Sequence, residues 1–242
     1  MRAETRHELK EDRFSKVTLQ VAEKTVHWTQ EHQSKLVAAA IAVMVIAAIA
    51  IGGWYYVEAQ DERASLELSA AVRTLETPLR PAGTPAQPGF DSFESIKQRA
   101  TTARGQFQSI LDKYPSTRSG KMARYFVGLT AAQVGDNAAA EATLRQVADS
   151  SSSDLSSLAK FALASVYRAE SKDSQAVELY KQLIDKPTAV VGKASAQLEL
   201  ASYYESSQKP DEAKRLYEQI QKENPSTEVA SLAQRRAAAL KK

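Results

Sequence analysis

Residues 36–57, LVAAAIAVMVIAAIAIGGWYYV, carry no charged side chain, whereas charged and apolar positions alternate at short intervals through the rest of the chain. A helix rising ~1.5 Å per residue over this run covers the ~30 Å hydrocarbon core of a bilayer. A single segment in lipid must satisfy its own backbone polar groups, and only a helix does so. A cleaved secretory signal has an apolar region of ~7–15 residues behind a short basic leader. Here the run is longer, the leader occupies residues 1–35, and the small-x-small triplet Ala48-Ile49-Ala50 lies inside the run. The pattern predicts an uncleaved transmembrane helix over 36–57.

Beyond the run the pattern changes to a period. Ala64, Leu68, Ala71, Val72 and Leu75 recur at helical spacing, which predicts that helix continues past the membrane. It should stop at Thr77-Pro78, because the stretch TPLRPAGTPAQPGFD holds Pro78, Pro81, Pro85 and Pro88 and proline lacks the backbone donor a helix interior needs. Residues 58–91 are therefore expected to form a post-membrane helix and a proline-rich surface loop. From residue 92 onward no proline interrupts an apolar period, so 92–242 is expected to be helical. Upstream, Phe14, Val17, Val21 and Trp28 recur at helical spacing among charged residues. Residues 1–35 are expected to hold an amphipathic helix that lies on the bilayer surface or packs on a membrane partner. His27 and His32 fall on different faces of such a helix and make a poor metal pair.

Three later segments align on one another. Each is read as a helix pair joined by a polar turn: VGDN, ESKD or SQKP. The first helices carry Gly128/Ala131, Ala164/Tyr167 and Ala201/Tyr204. The second helices open on Ala140, Ala176 and Ala213, followed by Leu144, Tyr180 and Tyr217 and then by Val147, Leu183 and Ile220. Internal offsets are identical in the three. This pattern resembles the tetratricopeptide repeat, a helix–turn–helix unit of about 34 residues. Small residues suit a close helix crossing, and large ones fill the space between adjacent pairs. Ala103, Phe107, Ile110 and Pro115 match the second helix of a further, split unit whose first helix is the post-membrane helix. A last helix over about 227–241 reads as the cap that such arrays need. The Ser-rich run 150–157 is expected to be a flexible loop between units. The fold class expected is all-α: one N-terminal transmembrane helix followed by a tetratricopeptide-like α-solenoid.

With YPST (114–117) and NPST (224–227) at unit ends and an N-terminal anchor, the chain looks like the bacterial envelope tetratricopeptide group. That group includes the ancillary subunit of the SecYEG translocon and the periplasmic cell-division coordinator of the Tol-Pal system. The resemblance implies a scaffold for protein–protein contacts at the inner membrane. Its partners would be translocon components, periplasmic chaperones or secreted chains. An alternative is an envelope-assembly or cell-division organiser using the same groove. The resemblance also implies which positions line the inner surface of the array: Met122, Tyr125, Leu129 and Gln133; Leu158, Phe161, Ser165 and Arg168; Ser195, Leu198, Ser202 and Glu205. Tyr125, Phe161 and Leu198 are equivalent and would form an apolar stripe for an extended or helical peptide. The Lys/Asn/Arg clamp that other members use for a chaperone carboxylate is missing at the matching Tyr125, Leu129, Ala162, Ser195 and Glu199.

Composition adds orientation and exclusions. Arg2, Arg6, Lys10, Arg13, Lys16, Lys24 and Lys35 precede the apolar run, and Arg63 and Arg73 follow it closely. Basic flanks collect on the cytoplasmic side, so the tail is expected in the cytoplasm and the repeat domain in the periplasm. Trp54, Tyr55 and Tyr56 suit a headgroup boundary. With 32 basic and 29 acidic residues no basic run offers a nucleic-acid footprint. There is no cysteine, hence neither disulfide nor thiolate chemistry. No phosphate loop, metal motif or nucleophile–base arrangement is present; no cofactor and no enzymatic activity are expected.

Overall fold

The computed structural model describes residues 33–81, 83–85 and 92–240. The chain divides into two compact units, Met1–Tyr56 and Val57–Lys242. The amphipathic helix expected over 7–35 lies outside the described residues, except that α1 (Gln33–Glu76) already begins at its end.

In the first unit α1 is apolar on every side. Ile46, Ile49 and Tyr55 are 66%, 70% and 72% exposed. It is the one helix among the described residues long and apolar enough to cross a membrane. A helix that is apolar all round requires apolar surroundings, either a large core or lipid.

The second unit is a row of antiparallel helices. It holds α1 from Val57 onward, then α2 (Ile96–Lys113), α3 (Arg118–Val134), α4 (Asn137–Ala148) and α5 (Ser153–Ala169). There follow α6 (Asp173–Asp185), α7 (Lys193–Ser206), α8 (Pro210–Glu223) and α9 (Glu228–Ala239). α1 ends one residue before Thr77-Pro78, where the proline pattern placed its stop. The proline-rich loop is pinned at both described ends. Arg99 donates to the Thr77 carbonyl at 2.7 Å, the Arg80 amide donates to the Phe93 carbonyl at 2.7 Å, and Arg80 pairs with Glu94. Ser95 then caps α2 by accepting from the Gln98 amide.

The last part of α1 serves as the first helix of the split unit. Ala64 and Ala71 are buried with Ala103, Phe107 and Ile110 of α2 and with Ala123 and Val127 of α3, and Leu68, Val72 and Leu75 pack around them. Polar bonds hold the same face: Glu67 accepts from Lys113 and from the Tyr114 hydroxyl, each at 3.0 Å, and Asp61 accepts from the Ser119 amide at 2.8 Å.

The three regular pairs are α3/α4, α5/α6 and α7/α8, and their turns are superimposable in bonding. The amides of Asp136, Lys172 and Lys209 donate to the carbonyls of Ala131, Tyr167 and Tyr204 at 2.9, 2.8 and 2.8 Å. This six-to-one bond needs a left-handed residue just before it. Gly135, Ser171 and Gln208 fill that place, with φ of 86°, 57° and 56°. Gly128 marks the tightest helix crossing: a Cβ built there would lie 2.7 Å from Leu144 Cγ.

Ala123, Ala159, Ala196 and Ala233 recur on α3, α5, α7 and α9, each with 0% exposure. α9 therefore packs in the manner of a regular first helix. The threonines of YPST and NPST turn the chain into the next unit. Thr117 accepts from the Gly120 amide at 2.9 Å and Thr227 from the Ala230 amide at 3.2 Å. The Ser-rich run 150–157 differs from expectation: most of it is helix. Ser152 caps α5, Ser156 donates to the Ala148 carbonyl at 2.5 Å, and buried Ser157 bonds Thr188 at 2.8 Å. Serine is a poor helix former in mid-helix but a good helix starter, because its hydroxyl satisfies free first-turn amides.

Candidate functional site

The inner surface indicated by the repeat pattern is carried by α3, α5 and α7. The alternation of fully buried alanines with half-buried larger residues on those helices fixes what remains accessible. Met122, Tyr125 and Phe161 are half-buried against one core, built around Leu144, Leu163, Tyr167 and Tyr180. Phe161 meets Tyr180 edge-on with centroids 6.0 Å apart, and Tyr125 meets Phe126 edge-on at 5.3 Å. Burial pushes the Tyr125 phenol up from its ordinary pKa. Leu158 sits beside Phe161 over a small core of Leu183, Val191 and Ala196. Leu198 packs elsewhere, on the core of Ala201, Ala213, Tyr217 and Ile220. Leu129 is half-buried, while Gln133, Ser165 and Ser195 are exposed and Ser202 is half-buried.

The two charged members are already engaged. Arg168 pairs with Glu199 of α7 at 3.3 Å and stands 5.8 Å from the centre of the Tyr203 ring. Glu205 accepts from the Tyr217 hydroxyl at 2.9 Å and pairs with Arg236 of α9 at 3.3 Å. Burial, and then this bond to a carboxylate, drive the Tyr217 phenol far above its ordinary pKa. Between Phe161 and Leu198 the surface is thus polar. A cleft of about 360 Å³ opens where α5 and α7 end, lined by Ser165, Arg168, Ala169, Asp173, Tyr203, Ser206 and Ser207. Tyr203, Ser206 and Ser207 were not among the residues expected from sequence, because their place depends on how α7 crosses α5. A larger cleft of about 650 Å³ lies between the start of α5 and the α6–α7 loop, and contains none of the expected groove residues. Among the described residues no group of three His, Asp or Glu side chains is placed to hold a metal ion.

Helix pairs stacked side by side with a shared inner row of first helices define an α-solenoid, a class built to present extended surfaces to other proteins. A model of the tetratricopeptide repeat-like domain matches residues 26–185, and one of the tetratricopeptide repeat matches residues 195–227. The chain belongs to the tetratricopeptide repeat-like family. No curated protein matches it. Among solved structures it is similar to a Podosopora anserina protein described as a kinesin light chain with nearly identical TPR-like repeats. The match has 17% identity and a TM-score of 0.56, and covers 74% of this chain and 86% of the other. A variant of that protein matches at the same identity and TM-score, over 74% and 85%. At this identity the similarity speaks for the fold. The repeat fold is typically a scaffold for protein–protein contacts rather than an enzyme.

Proposed function

We propose that this protein is a membrane-anchored interaction scaffold of the bacterial inner membrane. Residues 36–57 span the bilayer, the N-terminal tail is cytoplasmic, and the repeat domain works in the periplasm as an ancillary factor of the protein translocon or its chaperone network. The observation that carries the anchor is the uniformly exposed apolar face of α1 up to the Trp54-Tyr55-Tyr56 cluster. The binding surface rests on Met122, Tyr125, Leu158, Phe161 and Leu198, which stay half-buried after the cores are filled. Tethering raises the effective concentration of the array near membrane partners, so a shallow groove suffices.

Photo-crosslinking from position 161 in intact cells tests the groove, with exposed Lys181 on the outer helix α6 as control. A discrete partner captured at 161 and not at 181 is the expected result, and its identity separates translocon from division machinery. Equal diffuse background from both positions would remove the groove from the proposal. A C-terminal reporter active only in the periplasm tests the orientation independently; its silence would reverse it.

A further inference from the structure

Ion pairs between successive helix pairs fall into two rows. In the row of first helices, Arg168 of α5 pairs with Glu199 of α7, and Glu205 of α7 pairs with Arg236 of α9. Arg168 and Glu205 are equivalent positions, and so are Glu199 and Arg236. The same rung therefore recurs with its charges exchanged. In the row of second helices, Arg104 of α2 pairs with Asp136 at 3.1 Å, and Glu141 of α4 pairs with Lys172 at 2.5 Å. Arg104 and Glu141 are equivalent, as are Asp136 and Lys172. The exchange of sign occurs here as well.

We infer that this alternation sets the order in which the helix pairs stack. The apolar faces follow one repeated pattern, so they discriminate poorly between a pair's true neighbour and the next one along, in the same chain or in a second copy. Charge discriminates where shape does not. A slip that omits α7–α8 sets Arg168 against Arg236. A slip that omits α3–α4 sets Arg104 against Lys172. Each true rung is partly exposed and adds little to total stability; its effect lies in the difference between right and wrong neighbours. A slip that omits α5–α6 is unguarded, since Glu141 then meets Lys209 and Ala132 meets Glu199. The lock acts at two of the three regular pairs.

The doubly reversed full-length variant Arg168→Glu/Glu199→Arg tests this, because it keeps the rung paired but gives both first-helix rungs the same sign order. The repeat domain is unfolded in urea in detergent, returned to buffer and sized. Wild-type protein is expected to recover its starting size, and the variant to form additional larger, segment-exchanged species. Equally clean recovery of both would overturn the inference. A second variant adds Glu205→Arg/Arg236→Glu to the first exchange, which restores the alternation in the full chain with every rung still paired. It should return to the clean recovery of the wild type. Larger species from this fourfold variant at the level of the double variant would equally overturn the inference.

Discussion

The first part of α1 and the helices of the repeat array are built from the same apolar residue types, yet they solve opposite problems. In α1 from Val37 to Tyr55 no face is polar, and among the described residues its large apolar side chains stay exposed. In α3 through α9 apolar residues form a stripe, and the stripe is consumed by the neighbouring helix: Ala123, Ala159, Ala196 and Ala233 are all fully buried. The difference shows that helix is the constant and the surroundings the variable. A stripe calls for a partner helix, whereas an apolar surface all round calls for apolar surroundings on every side, a large core or lipid.

Substitutions that break each side of this contrast should differ in kind. The largest effect is expected in the array. Phe107 is fully buried and stacks on Phe126 at 4.7 Å, so Phe107→Ala should cost about 3–5 kcal/mol in urea unfolding of the repeat domain. It should leave membrane attachment unchanged in alkaline extraction. Ile46→Arg should do the reverse. It charges the middle of the span at a cost of about 2.5–3.5 kcal/mol for insertion, releases protein from membranes, and leaves the unfolding midpoint of the array alone. If Ile46→Arg stays membrane-bound, the anchor reading fails.

Within the array, Gly128→Val places a side chain on Leu144, and should cost about 1–3 kcal/mol by overpacking. The turns offer a smaller change of opposite sign. Ser171→Gly and Gln208→Gly relieve a left-handed backbone that Gly135 already occupies without strain, and each should stabilise by up to about 1 kcal/mol. A loss of stability at either site would show that its side chain contributes more than the backbone strain it imposes.

The smallest effect is electrostatic. The Glu141 carboxyl is held below its ordinary pKa, first by its hydrogen bond from Lys172 and also by the charge of that lysine and of Arg145, against an opposing effect of burial. A carboxyl whose folded pKa is lowered contributes stability that is fully present above its unfolded value near 4.5. That contribution is lost as pH falls through the folded value. Glu141→Gln should therefore flatten the decline of Tm with falling pH below that value. An unchanged slope would show that the pair is too well solvated to matter.

Much of the fold was legible in the sequence because helices announce themselves locally. The offsets from Gly128 to Ala140 and Leu144, and their copies one and two units later, place side chains on known faces whatever the rest of the chain does. The Ser-rich run was misjudged as a loop because serine serves both as turn residue and as helix start. Its role was decided by Ala148 at the end of α4 and Thr188 in the α6–α7 loop. The site was half legible. The family resemblance singled out Tyr125 and Phe161, and both prove half-buried against one core. That Leu198 rests on a separate core, and that Arg168 and Glu205 are engaged by neighbours, followed from contacts across the array.

What the sequence by itself determined is the set of elements: the apolar run, the stop at Thr77-Pro78, the helix pairs and their turns. Periodicity, proline and capping act over a few residues, and a linear chain displays them directly. What only the tertiary structure decided is pairing. The partners of Arg168 and Glu205 stand 31 residues further along the chain. Only the crossing of whole helices brings those charges together, because ion pairing depends on distance in space, which separation along the chain does not report.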